Sequence, residues 1–325
     1  MQRPPTHLPR FRYRPTTVAD LAQGLELLPA WLDLEPDLRA ALPMLWERLI
    51  QAGNLSMMSM EDAALPVHQR IQAWGISMPV STATVEAFRL DGRPDPHLSR
   101  RIYRAMLDGR LPVMTDRELG VANARGELVL FNLHFSMRND DLGDAYVLGV
   151  LNMAHEVFRF GHRGFNLRAM YYEGGVRDEP YVTAAGFPVR PYADPAAQDG
   201  LPPERRTLFF GLTREEARAS LPGSTARHIF EHQPPLFRFS TSQRRLLWLA
   251  LFDDSDEHLL QRLDVSVHGL KKLWRGIYER VESRMPDFFG ASVGEDEGKR
   301  GPEKRRQVLA HVRQRSEELR PWIEG

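Results

Sequence analysis

Cysteine is absent from the 325 residues, which excludes disulfides, thiolate metal sites and a cysteine nucleophile. Charge of one sign is not in excess either. With 43 Lys and Arg against 43 Asp and Glu, no whole-molecule field draws the chain to nucleic acid, and any such attraction has to come from a local patch. Long apolar runs are missing too: the densest, 246–252, is far shorter than the about 20 residues a membrane-spanning helix needs. No internal repeat stands out, and no Ser-His-Asp order, Walker loop or dinucleotide fingerprint occurs in the right context. What remains is a composition of 42% hydrophobic and 26% charged residues, ordinary for a globular protein and long enough for two domains. A cytoplasmic protein without a membrane partner, a metal or a cofactor is expected.

The periodicities predict an α+β protein. Residues 1–17 carry Arg3, Arg10, Arg12 and Arg14 among prolines and read as an irregular arm rather than a secretory signal. From 18 to 51, leucines recur at three and four, broken by Pro36 and Pro43, as in two or three short helices. Residues 127–136 alternate Val129, Phe131, Leu133 and Phe135 with their neighbours, the clearest strand of the chain. Helical stretches are expected at 97–107, 116–124 and 147–160, and extended ones at 166–173 and 181–189. Helices alternating with strands make 18–233 an α/β sensory or interaction domain. Pro234 and Pro235 place a boundary there. A helical domain then spans 236–290, a charged, glycine-bearing linker 291–302, and a last helix 303–325, where Val308, Val312, Leu319 and Trp322 suggest a dimer seam.

Residues 239–281 are sharply punctuated. Ser240 with Gln243 forms a capping box, Ser255 caps a second helix, and Ser266 caps a third after the turn Asp264-Val265. Leu246, Leu259, Leu263, Val265, Leu270, Trp274 and Ile277 form the expected core, which leaves His268, Lys271, Lys272 and Arg275 on an exposed basic face. The run FSTSQRRLL from Phe239, then LLQRLDVS from Leu259, then Leu270-Lys271 and Ile277-Tyr278, resembles the LuxR-type helix-turn-helix domain. That resemblance implies a transcription regulator that binds double-stranded DNA as a homodimer through Lys271, Lys272 and Arg275, under the control of the domain before it, and the docking of a recognition helix by its early residues adds His268.

Other motifs point elsewhere. His228, Glu231 and His232 fit a zinc-hydrolase pattern, but Pro234 and Pro235 end any helix just after it, and His155, Glu156 and His162 share only a loose helical spacing. No catalytic constellation survives these tests, so the chain is not expected to be an enzyme. The stretch FRFGHRGFNL from Phe158, followed by Tyr171-Tyr172-Glu173 and Ala185-Gly186-Phe187, is faintly similar to the acyl-CoA site of GNAT acetyltransferases. In that family a basic, glycine-bearing loop before a helix offers N–H groups to a pyrophosphate. The similarity implies Arg159, Gly161, Arg163 and Gly164 as a ligand loop and a small-molecule or acyl-CoA-like effector. An acyl-CoA-dependent transferase with a structural helical tail, and an interaction protein that does not bind DNA, are the two rival readings.

Overall fold

A computed structural model describes residues 10–53, 55–253, 255–290 and 297–324. The expected arm up to residue 9 and the linker segment 291–296 lie outside them. In chain order the elements are β1 (Phe11–Pro15), α1 (Leu21–Glu26), α2 (Pro36–Ala52), β2 (Ser56–Asp62), β3 (Ile71–Val80), α3 (Thr82–Phe88), α4 (Leu98–Leu107), α5 (Asp116–Arg125), β4 (Leu128–Met137), α6 (Ala145–His162) and β5 (Leu167–Gly175). They continue with α7 (Glu179–Ala184), β6 (Val189–Arg190), β7 (Thr207–Thr213), α8 (Arg214–Ala219), α9 (Thr225–Phe230), α10 (Thr241–Ala250), α11 (Asp256–Leu263), α12 (Val267–Arg284) and α13 (Glu297–Gln314). The chain is a mixed α/β protein that divides into two compact units.

The first unit comprises Met1–Met114, Leu128–Gly161 and Leu167–His228. It holds one seven-stranded sheet in the order β1-β2-β3-β4-β5-β7-β6. All its neighbours are antiparallel except β4 and β5, which run parallel with α6 as the crossover between them. On one face, Trp74 and Ile76 of β3 and Phe131 of β4 pack with Leu38, Leu42, Leu45 and Trp46 of α2 and with Ile102 and Tyr103 of α4. On the other face, α6 lies over β1, where Gly149 allows the Phe11 ring to approach and Tyr146 meets the same ring edge-on.

Three local expectations change here. Pro43 does not divide α2, which starts at Pro36 and runs through to a left-handed Gly53 cap. An interior proline costs about 3 kcal/mol, and burial of Leu38, Leu42, Leu45, Trp46 and Leu49 along one stripe outweighs that loss. The arm contributes a real strand, because Phe11–Pro15 pairs with Met58–Asp62 and Arg12 and Arg14 form ion pairs with the buried carboxylate of Glu61. Residues 181–189 are not extended at their start: Pro180 sits in the first turn of α7, where its missing N–H costs nothing.

The second unit comprises Thr115–Glu127, His162–Asn166 and Ile229–Gly325. Ser240, Ser255 and Ser266 cap α10, α11 and α12 as the sequence predicts, each accepting the N–H three residues on. Leu246, Leu259, Leu270, Trp274 and Ile277 are buried, whereas Leu263 and Val265 are only half-buried. This unit is not a contiguous stretch of 236–290. Asp116 of α5 accepts two bonds from the Arg244 guanidinium and one from the Thr241 hydroxyl, and Asn123 donates to the Pro321 carbonyl.

Candidate active site

The parallel pair β4–β5 is where the sheet opens. Its register runs from Leu128 opposite Leu167 to Asn132 opposite Tyr172. Beyond that pair β4 continues to Met137 against β3 alone, and β5 continues to Gly175 against β7 alone. A bulge sits at the point of divergence: Ile76 faces His134 and Ser77 faces Asn132, so Leu133 is an extra residue in β4. A bulge bends its strand and increases the twist, which turns the end of β4 away from β5.

Successive side chains of β5 line the two sides of this opening. Glu173 points to the α4 side and is fully buried. Its two oxygens accept the N–H groups of Leu98 and Ser99 at the start of α4, at 2.8 and 2.7 Å, and the Tyr192 hydroxyl at 3.0 Å. Burial nonetheless pushes its carboxyl above the ordinary range. Every bond it makes is to a group of the fold, so Glu173 pins α4 to the sheet.

On the other side, Tyr172 meets Asp178, which follows β5 after one tight turn. The Tyr172 hydroxyl donates to the Asp178 carboxylate at 3.1 Å, and the Gly175 N–H donates to the same oxygen at 2.8 Å. The Tyr181 phenol of α7 also bonds to Asp178, and its ring meets Phe135 of β4 edge-on across the opening. Gly174 is required here, since a Cβ would lie 2.7 Å from an Asp178 oxygen and 2.8 Å from the Tyr172 ring. Desolvation raises the Asp178 carboxyl above its usual range despite these donors, with the nearby Asp140 adding to the rise. It also keeps both phenols protonated well past the ordinary tyrosine range. Asp178 and Tyr181 remain half-exposed. A carboxyl raised by burial, reachable from solvent and flanked by two neutral phenols is equipped to take a proton from an incoming group.

Deeper in the same unit, a buried polar chain runs from Trp46 to Tyr103 to His134. The indole N–H donates to the Tyr103 oxygen at 3.3 Å, and that hydroxyl lies 3.1 Å from His134 Nδ1. The other ring nitrogen, Nε2, is buried with no hydrogen-bond partner among the described residues. Burial depresses the His134 pKa to about 3, so the ring is neutral.

The division between the two units falls within the stretch that the sequence grouped as a ligand loop. Arg159 and Gly161 lie in the last turn of α6, and Arg163 and Gly164 follow it in the second unit. The Arg163 guanidinium donates to the Ser316 hydroxyl at 3.1 Å and to the Arg313 carbonyl. Gly164 adopts a left-handed φ of 86° with Ser316 and Glu317 packed against it. This is the carboxyl end of a helix, whose dipole repels an anion, so the expected phosphate loop is corrected to a structural turn. Of the residues that do form a cluster, Tyr172, Asp178 and Tyr181, only Tyr172 was singled out in the sequence, within Tyr171-Tyr172-Glu173.

His268, Lys271, Lys272 and Arg275 are exposed on α12. The opposite side of α12 is covered by α13: the Arg305 guanidinium lies over the Trp274 ring at 4.6 Å, and Lys304 pairs with Glu282 at 2.6 Å. Val308, Val312 and Leu319 are buried within their own unit, and Trp322 stacks on His232. The side chains of the expected dimer seam are thus consumed inside one chain. The helix carrying His228 ends at Phe230, before His232. Among the described residues no group of three or more His, Asp or Glu side chains is placed to hold a metal ion, and no helix is long and apolar enough to cross a membrane.

No protein-family model and no curated protein matches this chain. Among solved structures it is similar to mutant forms of the spermidine/spermine N-acetyltransferase SpeG from Vibrio cholerae, with 11% identity over 65% of this chain and 99% of that one and a TM-score of 0.34. A dodecameric spermidine N-acetyltransferase from Vibrio cholerae in an intermediate state gives 11% identity, 63% and 94% coverage and a TM-score of 0.34. An uncharacterized protein from Bacillus halodurans gives 9%, 67% and 88%, and 0.32. The expectation of a DNA-binding regulator that is not an enzyme and that binds duplex DNA as a homodimer is corrected here. The helices of the LuxR resemblance belong to a discontinuous unit, and the seam residues are buried.

Proposed function

We propose that this chain is an acyltransferase that works at the opening between β4 and β5, with Asp178 as the group that receives the acceptor's proton. The observation that carries this reading is the departure of two parallel strands from one another after Asn132 and Tyr172, with a raised, half-exposed carboxyl set between two phenols on one side of the gap. A ligand site in an α/β sheet forms where neighbouring strands part at their carboxyl ends, and here both strands end at the gap. Attack of an amine on an acyl carbon requires the nitrogen to lose a proton as the new bond forms. Asp178 is suited to take it, and Tyr172 and Tyr181 hold the carboxylate in place through the bonds they donate.

The test incubates the full chain with acyl thioesters and a panel of primary amines and follows free thiol with a thiol-reactive dye. Amine-dependent thiol release that falls by at least a hundredfold in Asp178→Asn supports the reading. Absence of amine-dependent release across the panel overturns it.

A further inference from the structure

The GNAT resemblance expects a basic, glycine-bearing loop in front of a helix, with free N–H groups for the diphosphate of acyl-CoA. In this chain the loop that leads from the opening into a helix is 138–144, between β4 and α6, with the sequence RNDDLGD. It carries three carboxylates, Asp140, Asp141 and Asp144, all exposed.

Four N–H groups in and just after the loop are already bonded within it. The Asp141 N–H donates to the Asn139 side chain at 3.0 Å, the Gly143 N–H to the Asp141 carboxylate at 3.0 Å, and the Tyr146 N–H to the Asp144 carboxylate at 2.8 Å. The Asp144 N–H donates to the Asp141 carbonyl. The one cation of the loop, Arg138, turns back and donates to the Ile71 carbonyl at 3.2 Å, while Arg177 pairs with Asp140 at 3.3 Å. A diphosphate here would displace bonded carboxylates from the helix terminus and sit beside like charges. The residues of this loop do not fit the group.

The strand leading into the loop offers a different grip. Past Asn132, the side of β4 turned away from β3 has no neighbouring strand among the described residues, and its backbone can pair with an extended chain bearing amides. A pantetheine arm is such a chain.

We propose that the acyl donor of this protein is a thioester recognised through its acyl-pantetheine arm, and that no diphosphate is bound at the start of α6. The proposal rests on the acyl-transfer reading above.

Calorimetric titration of the full chain with acetyl-CoA and with S-acetylpantetheine tests it. Dissociation constants within about threefold of each other are expected. The triple variant Asp140→Asn, Asp141→Asn, Asp144→Asn keeps side-chain acceptors for the loop but removes its charge, and it should tighten acetyl-CoA binding at least tenfold while leaving S-acetylpantetheine within twofold. Acetyl-CoA binding ten times tighter than S-acetylpantetheine in the parent, or no gain for acetyl-CoA in the variant, overturns the proposal and leaves the acyl-transfer reading standing. If the parent binds neither thioester, that reading falls and the proposal falls with it.

Discussion

Asp178 and Gly174 exclude one another's alternatives: the carboxylate that receives the Tyr172 hydroxyl occupies the space in which any side chain at position 174 would begin. The turn after β5 is thus built around the carboxyl. Its geometry also fixes where Tyr172 and Tyr181 place their phenols beside the β4–β5 opening.

Gly174→Ala therefore has a defined consequence. The new methyl meets an Asp178 oxygen and the Tyr172 ring below 3 Å, and overpacking of this kind costs about 1–3 kcal/mol. Chemical denaturation should show a loss of that size, accompanied by loss of transfer activity. Full activity in the alanine variant would show that the turn tolerates movement and that Asp178 does not depend on it.

Glu173, one residue earlier, behaves differently because it faces the fold. Its folded carboxyl is raised above the ordinary value by burial, so the folded chain holds that proton more tightly than the unfolded one. The stability this contributes is complete below the ordinary glutamate range and is lost as pH rises through the raised value. Glu173→Gln should flatten that slope. It should also cost about 1–3 kcal/mol, because an amide nitrogen cannot accept the Leu98 or Ser99 N–H. Urea titrations across pH 4 to 8 check both effects, and an unchanged slope would contradict the assignment.

His134 gives the opposite sign. With a folded pKa of about 3 against about 6.5 in the unfolded chain, the unfolded state binds the extra proton first. Stability is complete above pH 6.5 and falls as pH drops toward 3. His134→Gln, which preserves an acceptor for the Tyr103 hydroxyl, should remove much of this acid sensitivity between pH 6.5 and 4. Parallel thermal melts would decide it, and equal acid sensitivity in the two proteins would show that another group is responsible.

Much of the fold is legible in the sequence, because local chemistry states it. The serines at 240, 255 and 266 cap three helices since a hydroxyl before an amphipathic run satisfies end N–H groups wherever it occurs. The alternation at 127–136 marks β4 for the same local reason. What is not legible depends on partners far away in the chain. Arg163 looked like a phosphate ligand until Ser316 and Arg313, some 150 residues on, took its donors. Val308 and Val312 have the spacing of a dimer seam, and spacing does not distinguish another chain from the same one. Asp178 had no motif at all; it is placed by a parallel pairing whose register no single strand encodes.

The most direct measurement is the pH dependence of kcat/KM for acyl transfer by the full chain and by Asp178→Asn. The parent should show a rising limb whose midpoint lies above the ordinary aspartate value, because burial raises this carboxyl. In the asparagine variant that limb should disappear, along with at least a hundredfold of the rate at its plateau. A variant that retains both the parent's rate and its rising limb would contradict the account.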